Sequence, residues 1–469
     1  MVRWLLVLMW AGTAMADDWP QFRGRNAAGV AEASGLPTRF GPNTNVVWKT
    51  TLPKGPSSPS VSGDRIYVTG VENERLFTYA LDRHSGELLW QREAPRPRNQ
   101  ELQENNHPAS PTPASDGENV FVFFADYGLL AYDVEGNEQW RLPLGPFNNP
   151  FGHGSSPILY GDLVFQVCDQ DSGAFMVAVD KRSGSVRFRV ERPHAQRGYA
   201  TPIIYEPKGA PTQVLVIGSY QLDAYDAATG EHRWWIHGLP WQIKPTPVMS
   251  DDAIYFVTSA GESDPGEQEI VPPFDEALAK LDEDGNGKLS KDEIVDERAI
   301  RRFDEYLDLD DTGFLERRDW EQFRTRRQGM NSLWAYRLGG EGDVTDANFM
   351  WNDASSLPNV PSPLLYDGVL YTLKEGGILT SFDPKTGERL KRARLRGALG
   401  AYYASPVGAD GKIYALSEEG NVSVVRAAAM WELLAVNRLD EGSQSTPAIV
   451  DDTLYVRTYD ALYSFRESP

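Results

Sequence analysis

The stretch ALDRHSGELLW, residues 80–90, decides how the chain folds. Apolar alternation leads into Asp82, a short polar turn carries Gly86, and Trp90 ends the return. That order writes strand, tight turn, strand. The aspartate can accept from the turn amides, and glycine supplies a positive φ that other side chains resist. The pattern returns at AVDKRSGSVRF (178–188), AYDAATGEHRW (224–234) and SFDPKTGERLK (381–391), and one residue shorter at AYDVEGNEQW (131–140). At VVRAAAMWELL (424–434) the aspartate and glycine are lost.

Working outward, each copy is preceded by Ser/Thr-Pro and an apolar strand, as in SSPSVSGDRIYVTG (57–70) and PSPLLYDGVLYTL (361–373). Prolines 59, 111, 157, 202, 247, 363, 406 and 447 mark eight copies, 41–52 residues apart except for one step of 116. Eight units of about 45 residues, each with four short strands, describe an all-β, eight-bladed β-propeller of four-stranded blades. The last copy ends at TLYVRTYDALYSF without an outermost strand. NVVWKTTLP (45–53), whose Trp48 stands like Trp90, Trp140 and Trp234, supplies a fourth strand that closes the ring and hides two sheet edges.

The A-x-D-x-x-[S/T]-G-x-x-x-W pattern resembles the tryptophan-docking repeat of the quinoprotein (PQQ-type) propellers, over roughly 45–260 and 331–466. DDWPQFRG (17–24) resembles the start of secreted PQQ-like repeat proteins. Enzymes of that type imply a quinone stacked on a disulfide of adjacent cysteines, with calcium at its carbonyls. This chain has one cysteine, Cys168, in the apolar stretch VFQVCDQ, so that disulfide cannot form and PQQ is not expected. The non-enzymatic relatives, such as the barrel-assembly scaffold lipoprotein of bacterial envelopes, imply a rigid platform for other proteins. The resemblance therefore implies an exported, non-catalytic scaffold or binding protein. A quinone-dependent or other redox enzyme, and a carbohydrate- or ligand-binding propeller, stay open as alternatives.

The anomalous step contains LDEDGNGKLSKDE (281–293) within a helical pattern that runs from Gly261 to Met330. Residues 262–330 hold 21 acidic and 11 basic residues, a net −10 out of −21 for the whole chain. Phe274, Leu278 and Leu281 recur at helical spacing behind Pro272–Pro273. The first loop resembles an EF-hand. Asp282, Asp284 and Asn286 offer side-chain oxygens, Lys288 its carbonyl and Ser290 a water-mediated contact, while Glu293 closes the site. Calcium needs six to eight hard oxygens, and Gly287 permits the sharp turn. A second loop at 308–319 repeats the register with Asp308, Asp310, Thr312, Phe314 (carbonyl) and Asp319. Thr312 and the shorter Asp319 make it the weaker site. Leu289 and Leu315, at position 8 of each loop, are expected to pair. One or two Ca²⁺ ions are thus expected in an EF-hand insertion within blade five.

MVRWLLVLMWAGTAMA (1–16) has the basic start, short apolar run and Ala-x-Ala end of a secretory leader, too short for a membrane span. The expected organisation is leader 1–16, N-terminal arm 17–44, propeller 45–261, insertion 262–330 and propeller 331–469. Cys168 lies far from the cleavage site, so no lipid anchor is expected, and net −21 sets nucleic acid aside as a partner. Export places the protein in the periplasm or outside the cell, with other envelope or extracellular proteins as partners. No zinc-protease, nucleophile-elbow or phosphate-loop motif appears. His107 and His153 both stand four residues before a marker proline, and Arg197, Tyr199, Lys244, Asn359 and Tyr403 occupy equivalent loops. If the innermost strands begin there, these seven ring one mouth of the central channel as a ligand site.

Overall fold

The computed structural model describes residues 18–100, 102–103, 106–294 and 303–468. The expected leader, and residues 295–302 of the helical pattern, lie outside the described residues. Eight antiparallel sheets form an eight-bladed propeller. Blade one runs Ser60–Ser62, Arg65–Glu72, Arg75–Asp82 and Leu88–Ala94 from the axis outward, and blades two to seven repeat this order. In blade eight, Val46–Thr51 lies antiparallel to Ala461–Arg466 as the outer strand.

The middle strands are not alternating. Asn119–Phe124 and Ala253–Thr258 are buried on both faces, because each blade is sandwiched between two others. Outer strands such as Val186–Glu191 do alternate. This is how a strand reads when only one face meets a neighbour.

The glycine turns explain how blades lock together. Asp82, Asp133, Asp180, Asp226 and Asp383 each accept backbone N–H groups of their own turns. The indole of the preceding blade covers the turn glycine. Trp48 donates to the Arg83 carbonyl at 3.1 Å, Trp90 to Val134 at 2.9 Å, Trp140 to Lys181 at 2.7 Å and Trp351 to Pro384 at 2.9 Å. A Cβ on Gly86, Gly136, Gly184 or Gly387 would come within 2.7 Å of the covering indole. Phe188 takes the same place over Gly230.

Two repeats depart from the pattern. Trp234 does not lock blade five, since the facing turn there has no Asp-Gly pair. Instead Trp234 donates to Gln213 Oε1 at 2.8 Å within its own blade. A fifth strand, Gly342–Asp343, lies parallel along Trp234–Trp235. The marker of repeat two is Pro113 rather than Pro111, because Thr112 carries the contact that the residue before the proline makes in every other blade.

The N-terminal arm crosses the end of the propeller where the first strands finish. Trp19 bridges to Val61, Pro20 accepts from Ser115, Gln21 Oε1 from Leu159, and Asn26 bonds both ways with Ile204. Arg23, fully buried, donates to the Pro363 carbonyl at 2.7 Å, and Gly29 and Val30 then join Gly408. The arm thus touches six blades before it becomes the outer strand of blade eight.

The helical insertion leaves blade five between Ala253–Thr258 and Ser332–Arg337, which remain paired. It contains helix α1, Phe274–Leu281, and helix α2, Arg317–Gln328, around a small core of Phe274, Leu289, Phe303, Leu307, Leu315 and Trp320. None of the helices among the described residues is long and apolar enough to cross a membrane.

Candidate functional site

The axial cavity is built from two stacked rings. The residue before each marker proline carries a hydroxyl: Ser58, Thr112, Ser156, Thr201, Thr246, Ser362, Ser405 and Thr446. Each backbone N–H in this series donates to the hydroxyl of the next blade at 2.9–3.1 Å, and Thr446 returns to Ser58. The circuit is closed: each of the eight hydroxyls accepts one bond between blades, and all eight residues also line the axial cavity. One layer toward the mouth, the residue three before each proline lines a cavity of about 440 Å³. These are Pro56, Ser110, Gly154, Tyr199, Lys244, Val360, Tyr403 and Gln444. Phe22 projects from the N-terminal arm into the same cavity.

Lys244 is the one charged side chain lining this cavity among the described residues. Its Nζ donates to Asn359 Oδ1 at 3.0 Å, and burial pushes its pKa down to about 8. A second, polar cavity of about 620 Å³ meets the first at Gln242, Lys244 and Asn359 and extends along the root of the insertion.

Of the seven residues expected at the mouth, Tyr199, Lys244, Asn359 and Tyr403 line the axial cavity. Three do not. His153 is 5% exposed and packs its ring on Phe147 and Phe123, with ring centroids at 4.5 and 5.9 Å. His107 folds onto its own loop, where Nδ1 accepts from Ala109 N–H. Arg197 is buried, held by both oxygens of Asp171 at 2.6 and 2.9 Å and stacked over Phe151. For His107 the cause is register, since two residues of slip in repeat two aligned it falsely with His153. His153 and Asn359 both stand four residues before a proline, but the His153 ring turns into the Phe123 and Phe147 cluster while Asn359 lines the cavity. Phe22, Gln242 and Gln444 were missed; the three-before-proline rule finds Gln444.

In the insertion, Asp282, Asp284 and Glu293 bring one oxygen each within 4.8 Å of one another. Asp282 accepts from Gly285, Asn286 and Gly287 N–H, and Ser290 donates to Glu293 from both N–H and Oγ. The Ser290 backbone bond leads the effects that hold the Glu293 carboxyl down at about 2, so it is ionised at neutral pH. Lys288 Nζ meets Glu316 Oε1 at 2.5 Å. In the second loop Asp308 accepts from Thr312 N–H at 2.9 Å and Gly313 N–H at 2.7 Å, repeating the bond from Gly287 to Asp282. Leu289 and Leu315 pair antiparallel between the loops. Asp319 is buried and pushed up to about 6, by burial first and by Asp310 and Asp308 as well. These oxygens are hard, and in the first loop they are gathered, a donor set that fits calcium.

A metal-held quinone does not fit the axial cavity. No carboxylate lines it among the described residues, and Cys168 is buried in the second strand of blade three.

The ring, the eight sheets and the covered glycines together define a PQQ-like eight-bladed β-propeller. The chain belongs to the family described as outer membrane protein assembly factor BamB, whose model matches residues 34–265 and 328–468. The gap between the two matched stretches, 266–327, falls in the helical insertion. No curated protein matches the chain. Among solved structures it is similar to BamB from Moraxella catarrhalis, at 12% identity and a TM-score of 0.54, covering 90% of this chain and 98% of that one. A europium-containing methanol dehydrogenase matches at 11% identity and a TM-score of 0.61, over 96% of this chain and 98% of the other. The quinohemoprotein alcohol dehydrogenase ADHIIG from Pseudomonas putida HK5 matches at 12% and 0.62, over 96% and 80%. At these identities the likeness is one of fold.

Proposed function

We propose that the protein is an exported, non-catalytic β-propeller scaffold of the periplasm or extracellular space that engages envelope proteins and binds calcium through an EF-hand pair inserted in blade five. The N-terminal strand closes its ring. The observation that carries the calcium reading is the gathering of Asp282, Asp284 and Glu293 oxygens within 4.8 Å. The scaffold reading is supported by a closed ring of eight bonds between blades at the axis, and by an arm that ties six blades together. Sites of this charge and exposure bind calcium at roughly 10⁻⁴–10⁻³ M, as in extracellular modules. Calorimetric titration of the full chain tests it: Glu293→Gln is expected to lose at least tenfold in affinity at the first loop. An isotherm identical to the parent's overturns the ligand assignment.

One observation favours a second reading, a propeller that binds a small ligand. Among the described residues Lys244 is the one charged side chain lining the axial cavity, and the Asn359 amide oxygen that accepts from it carries no charge, which suits an anionic group. Ligand co-purifying with the parent and absent from Lys244→Met would favour this reading over a bare scaffold.

A further inference from the structure

The two loops of the insertion are not equivalent in where they sit. All hydrogen bonds described for the first loop stay within the insertion. The second loop and the helix that follows it touch the propeller. Asn148 Nδ2 donates to the Leu309 carbonyl at 3.2 Å, and Arg318 donates to the Asp171 carbonyl. Gln322 Oε1 accepts from Gln196 Nε2 at 2.6 Å and its Nε2 donates to the Pro193 carbonyl, while Arg326 stacks 3.6 Å over the Trp241 ring. Helix α2 therefore lies on the rim of blades three and four, against the loop that carries Arg197 and leads to Tyr199 of the axial cavity.

Asp319 joins that helix to the loop. Its Oδ2 accepts from Glu316 N–H at 3.1 Å and completes the cap of α2. Its Oδ1 is buried without a hydrogen-bond partner, in a residue only 2% exposed. A buried carboxylate oxygen left unpaired is costly, and a cation is the partner that removes the cost. Asp310 and Asp308, the latter 4% exposed, are the acids that bear on it. The loop register puts Asp308, Asp310, Thr312, the Phe314 carbonyl and Asp319 at the positions that ligate in an EF-hand, and Asp319 also belongs to the first turn of α2.

We propose that a calcium ion in the second loop is the clamp that seats α2 on the propeller, so that this site, and not the first loop, controls the order of the rim beside the axial cavity. The proposal rests on the calcium reading above and deepens it. Hydrogen exchange of the full chain, with calcium and with chelator, tests it alongside calorimetry. Calcium is expected to slow exchange at least tenfold in peptides spanning 145–152 and 192–200, in the parent and in Glu293→Gln. Asp308→Asn and Asp319→Asn are expected to abolish that slowing while the blade strands stay protected. If one variant fails to fold, the other carries the comparison. Calcium heat without slower exchange overturns the clamp alone, as does slowing that survives both asparagine variants or disappears in Glu293→Gln. Absence of any calcium heat overturns the clamp and the calcium reading together.

Discussion

Thr446 donates its backbone N–H to Ser58 Oγ at 3.0 Å across 388 residues of sequence, and this bond closes the hydroxyl ring on the axis. Blade eight is thereby joined to blade one twice, here at the axis and at the rim where Trp48 covers Gly86. Propeller closure is usually the work of a shared outer strand; here it is reinforced at the innermost one. The ring also explains why the marker is Ser/Thr-Pro: the hydroxyl serves the neighbouring blade, and proline adds no N–H that would need a partner.

Removing one ring hydroxyl leaves a buried N–H unsatisfied. Thr201→Val keeps the shape of the side chain but orphans the Ser156 amide, which donates to Thr201 at 3.1 Å. A loss of about 1–3 kcal/mol is expected. Thr201→Ser is expected to restore most of it. Thermal melting of the three proteins decides, and equal melting temperatures for parent and Thr201→Val would show that the ring contributes nothing.

The indole-on-glycine lock sets a second expectation. Gly136 has φ +81°, and an added Cβ would lie 2.7 Å from the Trp90 ring. Gly136→Ala must therefore strain the turn and lift the indole, at a cost of about 1–3 kcal/mol. Gly63, also at positive φ, has open space around its Cβ position, so Gly63→Ala is expected to cost less. Denaturant midpoints for the two variants check the ranking.

Acid should weaken the fold between pH 6.5 and 4. Burial pushes His153 down to about 4 from an ordinary 6.5, and His107 is lowered equally, by burial and then by Arg457, Lys54 and Arg96. An unfolded histidine takes its proton near 6.5, the folded one only near 4. The contribution is complete above 6.5 and is lost as the pH falls through that window, up to about 3 kcal/mol for His153. His153→Leu is expected to flatten this part of the stability profile. A profile unchanged by the substitution would place the acid sensitivity elsewhere.

Much of the architecture was legible because repetition amplifies a weak local signal. One Asp-x-x-x-Gly turn is ambiguous, whereas four spaced alike and a fifth one residue shorter, with eight Ser/Thr-Pro marks, leave few folds. The misreadings arose where a repeat is degenerate or doubled. Ser110-Pro111-Thr112-Pro113 offers two prolines to one position, and the slip put His107 at a mouth it does not line. Trp234 sits in the docking pattern, but its lock depends on a turn in the next blade, which local sequence does not reveal. The arm could not be placed either. DDWPQFRG has no periodicity, and the position of Phe22 in the axial cavity follows from bonds to blades far along the chain.

The central claim is tested most directly by a native mass spectrum of the mature protein, purified without chelator from its own cell envelope. The account predicts added mass of one or two calcium ions and no organic ligand. Added mass matching a bound quinone would contradict it and turn the axial cavity around Lys244 into a redox site.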